Sequence, residues 1–406
     1  MIGKDTRRSS YMLEYSLAAG LTASGADAYM LHVTTTPSVS YVTKCDAFDC
    51  GIMITASHNP YFDNGIKIIN KNGEKADDGL LSQIEAYLDG TPSALPLAKR
   101  EKIGCITDHS AGRNRYIAYL IALASHSYKH LRIGLDCANG ASFDIAKKVF
   151  SALGAQVEVI GAEPDGLNVN LGCGSTHTER LCRLVKEKGL DAGFAFDGDA
   201  DRCIAIDENG NTVDGDTILY ILAQRFHERN MLENNTVVTT IMSNSGLAAS
   251  LSEKGIHCIQ TAVGDRFVYE CMLENGYALG GEQSGHIIMK KYATTGDGIL
   301  TAIMLTEELC DKKTTLSKLY DSITLYPQYV DNLKVTDKEA AVSDSAVCKK
   351  KEEIEAAIGG KGRVLLRKSG TESVIRIMIE CESEEKCKNY ALEIADTIRK
   401  RGYCHE

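Results

Sequence analysis

Short apolar runs alternate with stretches at helical spacing along most of this chain, and that alternation confines it to an α/β architecture. Residues 11–23 carry Leu13, Leu17 and Leu21 at helical spacing and stop before Gly25. Residues 28–33, 51–55 and 66–69 predict strands, and 80–88 a helix. A second series opens with a helix over 115–124 and a strand over 131–136. It continues with a helix over 142–153, a strand over 157–160, a helix over 178–188 and a strand over 191–196; Gly154 and Gly189 stop its later helices. A third series has helices over 216–229, 245–253, 266–274 and 296–309, with strands over 237–242, 257–261 and 278–280. The three series suggest duplication, although no repeat is visible residue by residue. Beyond Tyr326-Pro327 the texture changes. A strand over 330–335, a charged helix over 349–357, a hairpin over 363–367 and 373–380, and a closing helix over 384–400 predict a smaller α+β domain. The expected domains are 1–105, 106–208, 209–324 and 325–406.

Size and charge narrow the function. At 406 residues the chain is long enough for two to four domains, at roughly 150 residues each. Its formal net charge of −10 argues against nucleic acid or an anionic membrane as partner, so any phosphate site must be a local basic pocket. The apolar run at 118–124 is far too short to span a bilayer. Its 14 cysteines contain no Cys-x-x-Cys pair and read as reduced thiols. Lys4, Asp5, Arg7 and Arg8 leave no room for a signal peptide, so a cytoplasmic location is expected. Asn234-Asn235-Thr236 then fits a glycosylation sequon by chance.

Four stretches carry chemistry. In Gly51-Ile-Met-Ile-Thr-Ala-Ser57-His58-Asn59-Pro60 a strand opens into a stiff turn that presents a Ser beside a His. Such a Ser is a candidate nucleophile or phosphate carrier; alone, the run is equally an ordinary turn. In Asp197-Gly-Asp199-Ala-Asp201-Arg202 the carboxylates alternate. An extended backbone would turn all three to one side, where oxygen-only ligation suits Mg²⁺; the plain alternative is a solvated acidic loop. Gly280-Gly-Glu282-Gln-Ser284-Gly-His286 is a glycine-rich loop whose Glu282 and Ser284 could grip sugar hydroxyls, or an ammonium in the case of Glu282. Arg367-Lys-Ser369-Gly370-Thr371-Glu372, with Arg376 beyond, offers hydroxyls, backbone N–H groups and guanidinium forks to a phosphate monoester, or is a hairpin turn. Asp265-Arg266 is either a helix start or a substrate-side pair.

These four motifs, in this order, resemble those of the α-D-phosphohexomutase superfamily over essentially the whole chain. Within it the chain is most similar to the bacterial phosphoglucosamine mutases, through Gly166-Leu-Asn-Val-Asn170, Cys173-Gly-Ser-Thr-His177, Thr261-Ala-Val-Gly-Asp-Arg266 and Gln283. The resemblance implies three similar mixed-sheet α/β domains and a smaller C-terminal α+β domain around a central cleft. It implies that glucosamine 6-phosphate and glucosamine 1-phosphate are interconverted through phosphoserine and a hexosamine 1,6-bisphosphate, feeding UDP-N-acetylglucosamine and cell-wall precursor synthesis. Ser57 would carry the phosphoryl group, and Asp197, Asp199 and Asp201 would hold Mg²⁺ with it. His58, Lys67 and Arg202 would serve proton transfer and charge stabilisation. Glu282, Ser284, His286 and Arg266 would bind sugar; Arg367, Ser369, Gly370, Thr371 and Arg376 the distal phosphate. A homodimer is compatible with this reading. The alternatives are a phosphomannomutase or phosphoglucomutase, and an idle, truncated phosphosugar-binding homologue.

The chain departs from the family pattern in places. Relatives begin with a strand and a Phe-Gly-Thr-x-Gly-x-Arg-Gly motif, whereas Met1-Ile-Gly-Lys-Asp-Thr-Arg7 resembles the stretch after it. The expectation is a truncated first domain and weak turnover. Lys368 and Ser373 stand where relatives carry Pro. Ala200 stands where they carry Gly, which matters only if that position needs a positive φ.

Overall fold

The computed structural model describes residues 1–90, 95, 97–368 and 373–404. They form two compact units, one of residues 1–242 and 256–321, the other of residues 243–255 and 322–406.

The first unit holds three mixed sheets. In the first, β1 (Ile2–Lys4), β2 (Ala28–Val33), β3 (Cys50–Ile54), β4 (Ile66–Asn70) and β5 (Ile106–Asp108) lie in the order β4-β3-β1-β2-β5. Successive strand residues face opposite layers. Ile2, Met30 and Ile54 pack with Ala18 of the helix Arg8–Ala23; Met1, Leu31 and Met53 pack with Val39 and Val42 of the helix Thr36–Cys45. The second sheet contains β6 (Arg132–Asp136), β7 (Gln156–Ile160), β8 (Ala192–Phe196), β9 (Cys203–Ile206) and β10 (Thr212–Val213), ordered β10-β9-β8-β6-β7. The third contains β11 (Thr236–Thr240), β12 (His257–Thr261), β13 (Leu279–Gly281) and β14 (Ile287–Met289), ordered β12-β11-β13-β14.

One plan recurs in all three. A central strand (β1, β6, β11) has a parallel neighbour on each side, and one of those neighbours leads into an antiparallel partner. The duplication suggested by the sequence is thus a duplication of topology. The antiparallel connections β3–β4, β8–β9 and β13–β14 carry the Ser57, Asp197–Arg202 and Glu282–His286 motifs respectively.

In the second unit β15 (Gln328–Lys334), β16 (Arg363–Lys368) and β17 (Val374–Glu380) form an antiparallel sheet ordered β15-β17-β16. Ile375, Ile377 and Ile379 alternate onto one face, under Val347 and Ile354 of the helix Ser345–Ile358 and Ile394 and Ile398 of the helix Glu384–Lys400. The helix Ser245–Glu253 belongs here despite its place in the sequence. The buried Glu380 accepts from Ser245 N–H at 3.1 Å, Ser245 Oγ at 2.5 Å, Gln328 Nε2 at 2.6 Å and Arg363 Nε at 3.0 Å. The expected fold class, three similar α/β sheets and a smaller α+β one, is present.

Several elements escape the sequence reading. β1 sits at the centre of its sheet although it is three residues long and ends in a buried Lys. The helix Thr36–Cys45 is rich in Thr and Val, whose β-branching favours strands, but Val39 and Val42 are fully buried and Thr35 Oγ1 caps the helix by accepting from Ser38 N–H. β5, β9, β10 and β14 are too short to show a period.

Candidate active site

β3 ends at Ile54 and the chain turns through residues 55–65 before returning as β4. Ser57 sits in that turn with φ +50°, a left-handed conformation that costs a non-glycine residue about 1–2 kcal/mol. Its N–H donates to Thr55 Oγ1 at 3.0 Å. Its Oγ donates to Asp197 Oδ2 at 2.5 Å, so the first and second sheets deliver Ser57 and Asp197 to one point.

Asp197, Asp199 and Asp201 are all buried, and one oxygen from each lies within 4.8 Å of the others. Strand alternation is not what makes them converge, contrary to the expectation from their spacing. The segment is not extended: Ala200 N–H closes a turn onto Asp197 O at 3.1 Å, and Ala200 has φ +55°. The turn, not strand alternation, brings the carboxylates together, and position 200 does require the left-handed region. Gly198 is fixed for another reason, since a Cβ there would stand 2.5 Å from the Ser57 carbonyl oxygen.

Cations surround the trio. Lys67, in β4, donates to Asp199 Oδ2 at 2.6 Å and Asp201 Oδ2 at 2.7 Å. Burial works to lower its pKa, but these two carboxylates outweigh it and hold the ammonium well above its ordinary value. Arg202 donates its backbone N–H to Asp197 Oδ1 at 3.2 Å; burial disfavours its charge, and Asp197, Asp201, Asp199 and Glu282 more than restore it. Burial, then the charges of Asp201 and Asp199, push Asp197 well above the usual carboxylate range. Burial pushes Asp201 the same way, but Lys67 and His286 overcome it and hold the group well below. His58 is lowered by desolvation and then by Arg202.

The donor set fits a hard divalent cation. It is oxygen-only, and Asp199 Oδ1 and Asp201 Oδ1 are buried with no hydrogen-bond partner among the described residues, an arrangement that is costly unless a cation meets it. Among the described residues this is the one group of three acidic, His or Cys side chains close enough to hold a metal.

The third sheet adds its loop. Glu282 accepts Gly264 N–H at 3.1 Å, and Ser284 is exposed. His286 is buried. Gly296 N–H donates to its Nε2 at 3.0 Å, and its Nδ1 lies 3.6 Å from Asp201 Oδ1. Arg266 pairs with Asp78 and with Glu270 at 2.6 Å, while Asp265 meets Lys75 and, at 3.3 Å, His286 Nε2. In the second unit, Arg367 and Arg376 are cross-strand partners on β16 and β17. Like charges directly opposite repel, and Arg376 Nε is buried with no partner among the described residues. Ser369, Gly370 and Thr371 lie outside the described residues.

Four contributors were not singled out by the sequence. Arg7 and Asn170 bind the carbonyls of the Ser57 loop, Asp5 binds Thr55, and Thr36 donates its hydroxyl to Asp199 Oδ2. The polar Asp5-Thr6-Arg7 run at the end of an apolar strand is the signal that marks Asp5 and Arg7.

Comparison with known proteins places the chain in a family. Four family models match consecutive stretches: phosphoglucomutase/phosphomannomutase alpha/beta/alpha domain I over residues 1–94, domain II over 114–210, domain III over 214–326 and the C-terminal domain over 332–397. The chain is 56% identical over 403 residues to a phosphoglucosamine mutase of Lachnospira eligens, covering 99% of this chain and 90% of that protein. It is 48% identical over 400 residues to one of Geobacillus thermodenitrificans, covering 98% and 89%. In fold it is similar to a phosphoglucomutase/phosphomannomutase family protein of Burkholderia thailandensis, with a TM-score of 0.81 at 22% identity over 99% of this chain and 89% of that one. It is also similar to Aspergillus fumigatus N-acetylphosphoglucosamine mutase in complex with GlcNAc-6P and magnesium, with a TM-score of 0.71 at 16% identity over 96% and 93%.

Proposed function

The chain belongs to the phosphoglucomutase/phosphomannomutase family, and from that premise we infer that it interconverts glucosamine 6-phosphate and glucosamine 1-phosphate, as an isomerase of the phosphoglucosamine mutase type. The observation that carries the site assignment is the Ser57 hydroxyl on Asp197, 2.5 Å apart, beside two further buried carboxylates.

Ser57, phosphorylated, gives its phosphoryl group to O1 of glucosamine 6-phosphate. The products of that half-reaction are a free Ser57 hydroxyl and glucosamine 1,6-bisphosphate. After the bisphosphate turns end for end, its 6-phosphoryl group returns to Ser57 and glucosamine 1-phosphate leaves; the reverse direction uses the same steps. Asp197, Asp199 and Asp201 would hold Mg²⁺ together with the Ser57 phosphoryl group. Bound there, Mg²⁺ supplies Lewis-acid neutralisation of phosphoryl charge. Lys67 and Arg202 add positive charge on the same side, and the left-handed turn at Ser57 presents its Oγ to them. Glu282 and Ser284 bind sugar hydroxyls, or for Glu282 the 2-ammonium. Arg367 and Arg376, with Ser369, Gly370 and Thr371, hold the phosphate that is not reacting. His286 and Arg266 act at the edge of the sugar site, His286 through Asp201 and Arg266 from its pairing with Glu270.

The amino-sugar reading is preferred to the mannose and glucose alternatives because the curated relatives at 48–56% identity carry the phosphoglucosamine mutase name. No described helix is long and apolar enough to cross a membrane, and 14 free cysteines suit a reducing compartment, so we place the reaction in the cytoplasm. A coupled assay comparing the 1-phosphates of glucosamine, glucose and mannose tests the substrate. The expected result is a preference for glucosamine 1-phosphate of at least about tenfold in kcat/KM, worth ~1.4 kcal/mol. Equal or better turnover of a non-amino sugar would overturn the assignment.

A further inference from the structure

Arg7 is fully buried, and all five of its guanidinium N–H groups have acceptors. Nε donates to Asp5 Oδ2 at 2.7 Å. Nη1 donates to the carbonyls of Pro60 and, at 3.1 Å, Asp63. Nη2 donates to those of Ser57 at 3.0 Å and Asn59 at 2.9 Å. Four backbone carbonyls of one loop therefore converge on one planar cation.

The grip is itself oriented. Asp5 accepts Arg7 N–H at 3.0 Å, Ser10 Oγ at 2.8 Å and Thr55 Oγ1 at 2.8 Å, and Thr55 Oγ1 in turn accepts Ser57 N–H at 3.0 Å. From the side of the second sheet, Asn170 Nδ2 donates to the Ser57 and Asn59 carbonyls at 2.8 and 3.0 Å. A serine does not stay at φ +50° by its own preference, so something must hold these carbonyls. A lysine cannot replace the fork, because its three donors radiate from one point.

We propose that Arg7 is the positioning residue of the phosphoryl carrier: by fixing the carbonyls of residues 57, 59, 60 and 63 it keeps Ser57 in the left-handed turn with Oγ directed at Asp197. This rests on the reading of Ser57 as the carrier. The Arg7 guanidinium donates to Asp5 and to the loop carbonyls, and to none of Asp197, Asp199 and Asp201. Its effect passes through the loop, and a misplacement of about 1 Å at a reacting oxygen is enough to slow transfer roughly 100-fold.

The test uses the full chain with Mg²⁺, glucosamine 1-phosphate and glucose 1,6-bisphosphate as the phosphorylating probe. R7K, N170A, the double variant and S57A are compared. For R7K the expected fall in kcat is roughly 100-fold with KM within about threefold, and phosphate gain on the chain, read by intact mass, slows in parallel. N170A falls about tenfold, and the double variant falls by less than the product, because both side chains hold the same two carbonyls. A merely structural Arg7 would lower Tm while the folded fraction kept its kcat. R7K with kcat within about threefold of the parent, or with activity lost only in proportion to the fraction unfolded, overturns the proposal. If R7K does not fold, N170A decides by the same criteria. S57A that still turns over would sink the carrier reading itself, whatever the Arg7 variants do.

Discussion

At the scale of single residues, the site is set by close approaches that only certain side chains permit. Gly198 is the clearest. A methyl group there would meet the Ser57 carbonyl oxygen at 2.5 Å, and real Cβ atoms do not come so near. Gly198→Ala must push the Ser57 loop away from Asp197. The expected outcome is a loss of about 1–3 kcal/mol in stability by urea titration and a fall in kcat beyond what that loss explains. Wild-type kcat in G198A would show that the contact is soft. Treatment with a chelator should abolish turnover and added Mg²⁺ restore it, while Asp201→Asn, which removes one buried carboxylate of the trio, should raise the Mg²⁺ concentration needed for half-maximal activity by about tenfold or more. Turnover that survives exhaustive chelation would contradict the role given to the trio.

At the scale of elements, one helix start should leave a mark on the pH dependence of stability. Asp297 caps the helix Gly298–Lys312, accepting Leu300 N–H at 3.0 Å and Tyr116 Oη at 2.8 Å. Burial pushes its carboxyl from an ordinary 3.8 up to about 6. Between those values the folded chain binds more protons than the unfolded one. Stability from this group is therefore lost as pH rises from about 4 to 6, by on the order of 3 kcal/mol. Asp297→Asn keeps an oxygen for Leu300 N–H and cannot ionise, so its unfolding free energy should decline less over that window. An unchanged slope would show that Asp297 is not the group responsible. Elements also show how far the sequence could be read. Helices with a clear apolar stripe and a glycine stop, such as Glu179–Lys188 before Gly189 at φ +59°, are legible because spacing and punctuation agree. The helix Thr36–Cys45 is not, because its β-branched residues argue for a strand and only burial between β1 and the rest of its layer overrules them. Of the site, the motifs were legible and their geometry was not. Asp197, Asp199 and Asp201 are readable as a trio, but the turn that gathers them depends on Ala200 adopting an unfavourable φ. Arg7 stands in a polar run that marks it, but its role is hidden in the sequence because its partners are carbonyls 50 to 56 positions away.

At the scale of the whole molecule, the division into units does not follow the order of the chain. The helix Ser245–Glu253 lies between strands of the third sheet in sequence, yet it is bound to Glu380 and Tyr326 of the second unit. Glu380→Ala removes the shared acceptor of Ser245, Gln328 and Arg363 and leaves a half-buried guanidinium without its partner. It should cost about 3–5 kcal/mol, with hydrogen exchange rising in residues 243–255 together with β15 and β16. Exchange confined to β16 would separate that helix from the unit. The repeated plan of the first unit bears on function in the same way. Three sheets without detectable sequence repetition each place one of the sequence motifs, the Ser57 turn, the Asp197–Arg202 run or the Glu282–His286 loop, at the same antiparallel connection.

The central claim is that Ser57 carries the phosphoryl group, and intact-mass spectrometry of the chain tests it most directly. Incubated with Mg²⁺ and glucose 1,6-bisphosphate, the chain should gain the mass of one phosphate, on the peptide containing Ser57, and lose it on addition of excess glucosamine 6-phosphate as the bisphosphate forms. Ser57→Ala should neither gain the mass nor turn over. Stoichiometric phosphate on another residue, or full turnover by Ser57→Ala, would contradict the account.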